Sequence, residues 1–97
     1  MLLFSLLFFA LTGTMVIKGK VTIKGNEPFS YVALTAENGS EYRLTGKLKD
    51  LIAEKYQNMI LTVRGKIIKK QAGPGMPAEF EVNKIISASK EASSSHN

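Results

Sequence analysis

Residues 15–24 carry the clearest hydrophobic pattern: Met15, Ile17, Gly19, Val21 and Ile23 share one face, and Val16, Lys18, Lys20, Thr22 and Lys24 share the other. A period of two with one apolar face predicts a half-buried strand. Residues 59–70 repeat the pattern, with Met59, Leu61, Val63, Gly65 and Ile67 on one face and Thr62, Arg64 and Lys66 on the other. Each strand sets a glycine in the middle of its apolar face, which marks a bend or a close approach of another backbone. The local match of Lys18-Gly19-Lys20-Val21 with Arg64-Gly65-Lys66-Ile67 leaves internal duplication as a rival reading. It covers so few residues that convergence on the same barrel bend is favoured.

Between these strands, Gly25-Asn26-Glu27-Pro28 reads as a turn and residues 29–36 as a second strand. Val32 and Leu34 are expected inward there, with Phe29, Tyr31 and Ala33 outward. Asn38-Gly39 is a strong hairpin signal and leads into a third strand, residues 41–45, with Tyr42 and Leu44 inward and Glu41 and Arg43 outward. Asn38-Gly39-Ser40 also fits a glycosylation pattern but is read as the turn. Residues 47–57 predict a helix of about three turns, because Leu48, Leu51, Ile52 and Tyr56 form one apolar stripe. Thr45 or Gly46 suits its start and Asn58 its exit. A helix this short needs a surface to pack on, and the open end of a barrel supplies one.

Residues 71–77, QAGPGMP, predict a loop, and residues 78–86 a last strand with Phe80 and Val82 inward and Glu79, Glu81 and Asn83 outward. The alternation slips at Lys84-Ile85-Ile86, as a bulge or a strand end would make it. Residues 87–97 are Ser-rich without a hydrophobic period and are expected to be a disordered tail. At the other end, residues 1–13 are almost wholly apolar, too short to span a bilayer, and end in small residues. They read as a signal peptide for export, cut or uncut, with Leu11 and Gly13 placed for a cut after Gly13, although no Lys or Arg precedes the run and Leu11 is large for its position. A buried N-terminal strand or a wrongly chosen start codon are the other readings. Residues 14–86 form the expected domain.

With 97 residues there is room for one core. The net charge of +5 favours anionic partners, diluted by eight carboxylates. The absence of cysteine excludes disulfides, thiolate catalysis and lipid attachment to an N-terminal cysteine. The single histidine, His96, lies in the tail, so a serine nucleophile has no histidine base in the folded region, and no acidic cluster has metal-ligand spacing. No glycine-rich phosphate loop opens a helix, because Gly73-Pro74-Gly75 precedes a strand. No enzyme activity, metal or cofactor is expected.

The order of three strands, a helix and two strands, with glycines Gly19 and Gly65 and the Asn38-Gly39 hairpin, resembles an OB-fold, a five-stranded barrel. The resemblance covers residues 15–86, and with the leader it is similar to small exported bacterial OB-fold domains, through the VTIKG, YVALTAENGSEYRL and LTVRGKI segments. A small SH3-like barrel is the alternative, but it does not expect the helix. The resemblance implies a ligand face on the second and third strands, here Phe29, Tyr31 and Arg43, bordered by Asn26, Glu27, Lys69 and Lys70. The two aromatics also fit a plain role in covering the barrel wall.

A second candidate is a basic stripe of Lys18, Lys20, Arg64 and Lys66 on paired first and fourth strands. It can track phosphates, or simply keep the face soluble and discourage edge pairing. The leading expectation is a non-enzymatic, periplasmic or secreted, monomeric module that binds a small ligand, a glycan or an envelope protein, with no transmembrane span after the leader. The alternative is a single-stranded nucleic-acid binder, open to the chain if it is not exported.

Overall fold

The computed structural model describes residues 14–73 and 75–90. Its elements are β1 (Met15–Lys24), β2 (Tyr31–Ala36), β3 (Glu41–Thr45), α1 (Lys49–Lys55), β4 (Met59–Lys69) and β5 (Ala78–Lys90). The strands close into a barrel in the order β1-β2-β3-β5-β4. Neighbouring strands are antiparallel except β3 and β5, which run parallel and close the ring. This is the five-stranded barrel, with a helix between the third and fourth strands, that the hydrophobic pattern predicts. The leader and the last residues of the tail lie outside the described residues.

The alternation puts one side chain in two into the barrel, and the fully buried set draws on every strand: Val21, Leu34, Leu44, Leu61, Val63 and Phe80. Tyr42 packs its ring edge against Phe80, with centroids 6.0 Å apart. Both mid-strand glycines are there because another backbone passes close by. A Cβ on Gly19 would overlap the Thr35 carbonyl, and one on Gly65 the Glu81 carbonyl. Met15 and Ile23 are on the apolar face of β1 but stay exposed, because they lie at the two ends of the strand.

The helix is shorter than its periodicity suggests, and it packs through three of the four expected stripe residues, Leu48, Ile52 and Tyr56, with Ala53 in place of Leu51. Ile52 is fully buried against the barrel, with Leu48, Ala53 and Tyr56 packed around it, whereas Leu51 stays 36% exposed. Leu48 takes the N-cap position without a side-chain hydrogen bond, so neither expected cap residue acts through a side chain. The Thr45 hydroxyl donates instead to the Phe80 carbonyl at 3.4 Å, and the Gly46 carbonyl accepts from the Lys49 N–H at 3.3 Å. Asn58 does end the helix region, at φ 69°, and its N–H donates to the Val21 carbonyl at 2.7 Å. That bond ties the helix exit to β1.

Three strand boundaries differ from expectation. β2 begins at Tyr31, because Phe29 belongs to the turn and donates its N–H to the Asn26 carbonyl at 2.6 Å. β4 ends at Lys69, one residue early. β5 continues past Ile86 to Lys90, so residues 87–90 are strand and not tail, paired with β4 from Thr62↔Ser87 to Met59↔Lys90. Ile86 has no partner where the register passes from Thr62↔Ser87 to Val63↔Ile85, and Asn83 is passed over in the same way. The slip in alternation is a bulge, and the strand continues beyond it.

Candidate functional site

The barrel register builds the site row by row. Thr22, Ala33, Arg43, Glu79 and Lys69 are successive cross-strand partners over β1, β2, β3, β5 and β4. Three positions of the row are ionisable, with Glu79 between Arg43 and Lys69. Ala33 is outward by alternation yet fully buried, against the expectation for an outer-face residue. The reason lies in Tyr31. Its hydroxyl donates to Glu41 Oε2 at 2.8 Å, although Glu41 stands opposite Thr35, so the ring runs along the sheet above Ala33. Arg43 closes the arrangement, its guanidinium carbon 4.8 Å from the Tyr31 ring centroid. That is a cation–π distance.

Glu41 holds two partners at once. Its Oε1 accepts from Lys24 Nζ at 2.8 Å while Oε2 accepts from Tyr31. The Lys24 hydrogen bond, helped by that from Tyr31, holds the Glu41 carboxyl below the usual carboxylate range against a desolvation that opposes it. The hydrogen bond to the Glu41 carboxylate, followed by burial, pushes the Tyr31 phenol up. The same carboxylate raises Lys24. At neutral pH all three therefore hold their bonding forms, with the Tyr31 hydroxyl and the Lys24 ammonium both donating to the Glu41 carboxylate.

Two cavities flank this platform. One, of about 450 Å³, lies between the sheet and the helix, with Tyr31, Arg43 and Glu79 shared with the other side and Lys49, Asp50 and Ser30 along its wall. The other, of about 260 Å³, is walled by Lys69, Lys70, Met76 and Pro77 from the β4–β5 connection. A third, of about 430 Å³, continues from that connection past Glu41 to the Asn38–Ser40 hairpin. Together they make a groove over β2 and β3 with the Tyr31–Arg43 stack as its floor.

Four of the five expected ligand residues, Tyr31, Arg43, Lys69 and Lys70, come together there. Phe29 does not: it projects from the β1–β2 turn, 80% exposed, and lines none of these cavities. Asn26 and Glu27 also lie outside their walls, and Glu27 accepts from the Ser30 hydroxyl at 3.2 Å. Glu41, Glu79 and Lys24 are the residues that sequence reasoning missed. Their alternation marked them as solvated, and only the register reveals what they face.

The basic stripe is a separate surface. β1 does pair with β4, placing Lys18 opposite Thr62, Val16 opposite Arg64 and Lys20 opposite Ile60. Among the described residues, no group of three or more acidic or histidine side chains is placed to hold a metal ion. No helix among the described residues is long and apolar enough to cross a membrane. No protein-family model, curated protein or solved structure matches the chain.

Proposed function

We propose that this chain is an exported, non-enzymatic OB-fold module whose groove over β2 and β3 binds a small ligand, a glycan or an envelope protein. Supporting the OB reading are the β1-β2-β3-β5-β4 ring, its parallel β3–β5 closure and the helix between β3 and β4. Supporting export is the apolar run of residues 1–13 ahead of the first charged residue.

The observation that carries the binding reading is the Tyr31–Arg43 stack, braced by Glu41 and Lys24 and shared by two cavities. A rigid aromatic platform with adjoining donors and a Glu79 acceptor suits a flat polar ligand such as a sugar ring or a planar side chain. Calorimetric titration with neutral and uronic-acid oligosaccharides and with peptides tests it. The reading predicts that Tyr31→Ala and Arg43→Ala each abolish whatever binding is found. Binding that survives both substitutions contradicts it.

A second reading, single-stranded nucleic acid in the same groove, is favoured by one observation: Lys69 and Lys70 stand at the mouth beside the stacked tyrosine. Base stacking on such a platform contributes roughly 1–3 kcal/mol per base. Oligonucleotide affinity that falls steeply with salt and is lost in Tyr31→Ala would select this reading.

A further inference from the structure

The groove leaves the opposite wall of the barrel unexplained. There the register sets Val16, Arg64 and Lys84 in one row across β1, β4 and β5, and Lys18, Thr62 and Ser87 in the next. Arg64 and Lys84 thus stand directly opposite each other, an arrangement that costs a sheet stability. Neither makes an ion pair among the described residues. Lys66 extends the charge along β4, where Glu81 stands opposite it. An uncompensated like-charge pair points to an anion supplied from outside.

The shape and the other side chains say which kind. None of the three cavities is lined by Lys18, Lys20, Arg64, Lys66 or Lys84. None of the described aromatic residues is on this face: Phe29 is in a turn, Tyr31 faces the groove, Tyr42 and Phe80 pack in the core, and Tyr56 ends the helix. A strand of bases would want a groove and stacking partners. What accompanies the cations is aliphatic. Val16, opposite Arg64, is 50% exposed, as is Ile68 at the β4 irregularity beyond Lys66. Cations interleaved with exposed aliphatic side chains match a headgroup layer, where phosphates meet the charges and the apolar groups dip toward the acyl chains.

We propose that the outer face of β1, β4 and β5, centred on Arg64, Lys84 and Lys18, docks on an anionic phospholipid surface. The proposal does not depend on any ligand in the groove.

Co-sedimentation of the full chain with phosphatidylcholine vesicles, with and without phosphatidylglycerol, tests it. The readout is the ratio of the two affinities. Residues 1–13 carry no charged side chain and are the same in every variant, so their contribution is common to all the ratios compared. Each lost cation is expected to cost about fivefold, so Arg64→Gln with Lys84→Gln lowers the ratio roughly 30-fold. Lys47→Gln with Lys55→Gln removes the same charge from exposed helix-region positions and changes it by no more than about threefold. Lys18→Gln alone gives about a fivefold loss, which keeps the test decisive should the double variant fold poorly. Tyr31→Ala leaves the ratio unchanged. Equal losses from both double variants, or a ratio near one for the parent, would overturn the proposal. So would an oligonucleotide that binds through Arg64 and Lys84 when anionic vesicles do not.

Discussion

The Tyr31 hydroxyl donates to Glu41 Oε2 at 2.8 Å across two rows of the sheet, and that reach lays an aromatic ring over Ala33. The bond couples the platform to pH at both extremes. Tyr31 is raised, so its contribution to stability is complete below the unfolded phenol value and is lost as pH climbs through the folded one. Glu41 is lowered, so its contribution is present above the ordinary carboxylate value and is lost as pH falls through the folded one. Between those limits the network stays intact. The difference in ultraviolet absorbance between the parent and Tyr31→Phe should show this phenol ionising above pH ~10. Glu41→Gln should bring it back toward that value.

Gly65 and Gly19 should be intolerant of any side chain. The added Cβ meets the carbonyl of Glu81 or Thr35, backbone atoms that cannot rotate aside. Gly65→Ala and Gly19→Ala are each expected to cost about 3 kcal/mol or more. Gly39→Ala meets no atom within 4 Å and strains only its φ of +93°, for about 1 kcal/mol. Urea denaturation of the three variants gives the comparison.

Ile52 is the fully buried side chain of the helix. Ile52→Ala empties a site with no exposure and should destabilise by about 2–4 kcal/mol, whereas Leu51→Ala should stay within about 0.5 kcal/mol. Equal effects from the two would place the apolar stripe where the periodicity alone drew it.

The end of β5 contributes to the barrel. A chain stopped after Ile86 gives up four partners of β4, from Thr62↔Ser87 to Met59↔Lys90. It should be less stable than one stopped after Lys90 by roughly 1–3 kcal/mol. Amide exchange at Ile60 and Thr62 should quicken in the shorter chain.

The strands were legible because each has one face in the core and one in water, so alternation reveals both existence and orientation. The Asn38-Gly39 turn was legible because its chemistry is local: Gly39 takes φ +93° and the Asn38 Oδ1 accepts from the Ser40 N–H at 2.9 Å. What escaped is what depends on distant neighbours. Leu48, Ile52 and Tyr56 pack as their spacing implies, but Leu51 lies at the edge of the stripe and stays exposed while Ala53 meets the barrel end. Residues 87–90 carry no apolar period because β4, through backbone pairing, keeps them in the sheet. Ala33 reads as an outer position, and nothing local announces a tyrosine ring lying over it. Glu41 reads as solvated, and its bond to Lys24 spans 17 residues of sequence.

The most direct test of the account is an amide-shift map of the labelled protein titrated with oligosaccharides, peptides and a single-stranded oligonucleotide in turn. The account predicts that at least one of them shifts Tyr31, Arg43, Glu79 and Lys69 together, and that Arg43→Ala abolishes the response. Shifts confined to other parts of the barrel, or none with any of the three, would contradict the assignment of the groove over β2 and β3 as the binding site.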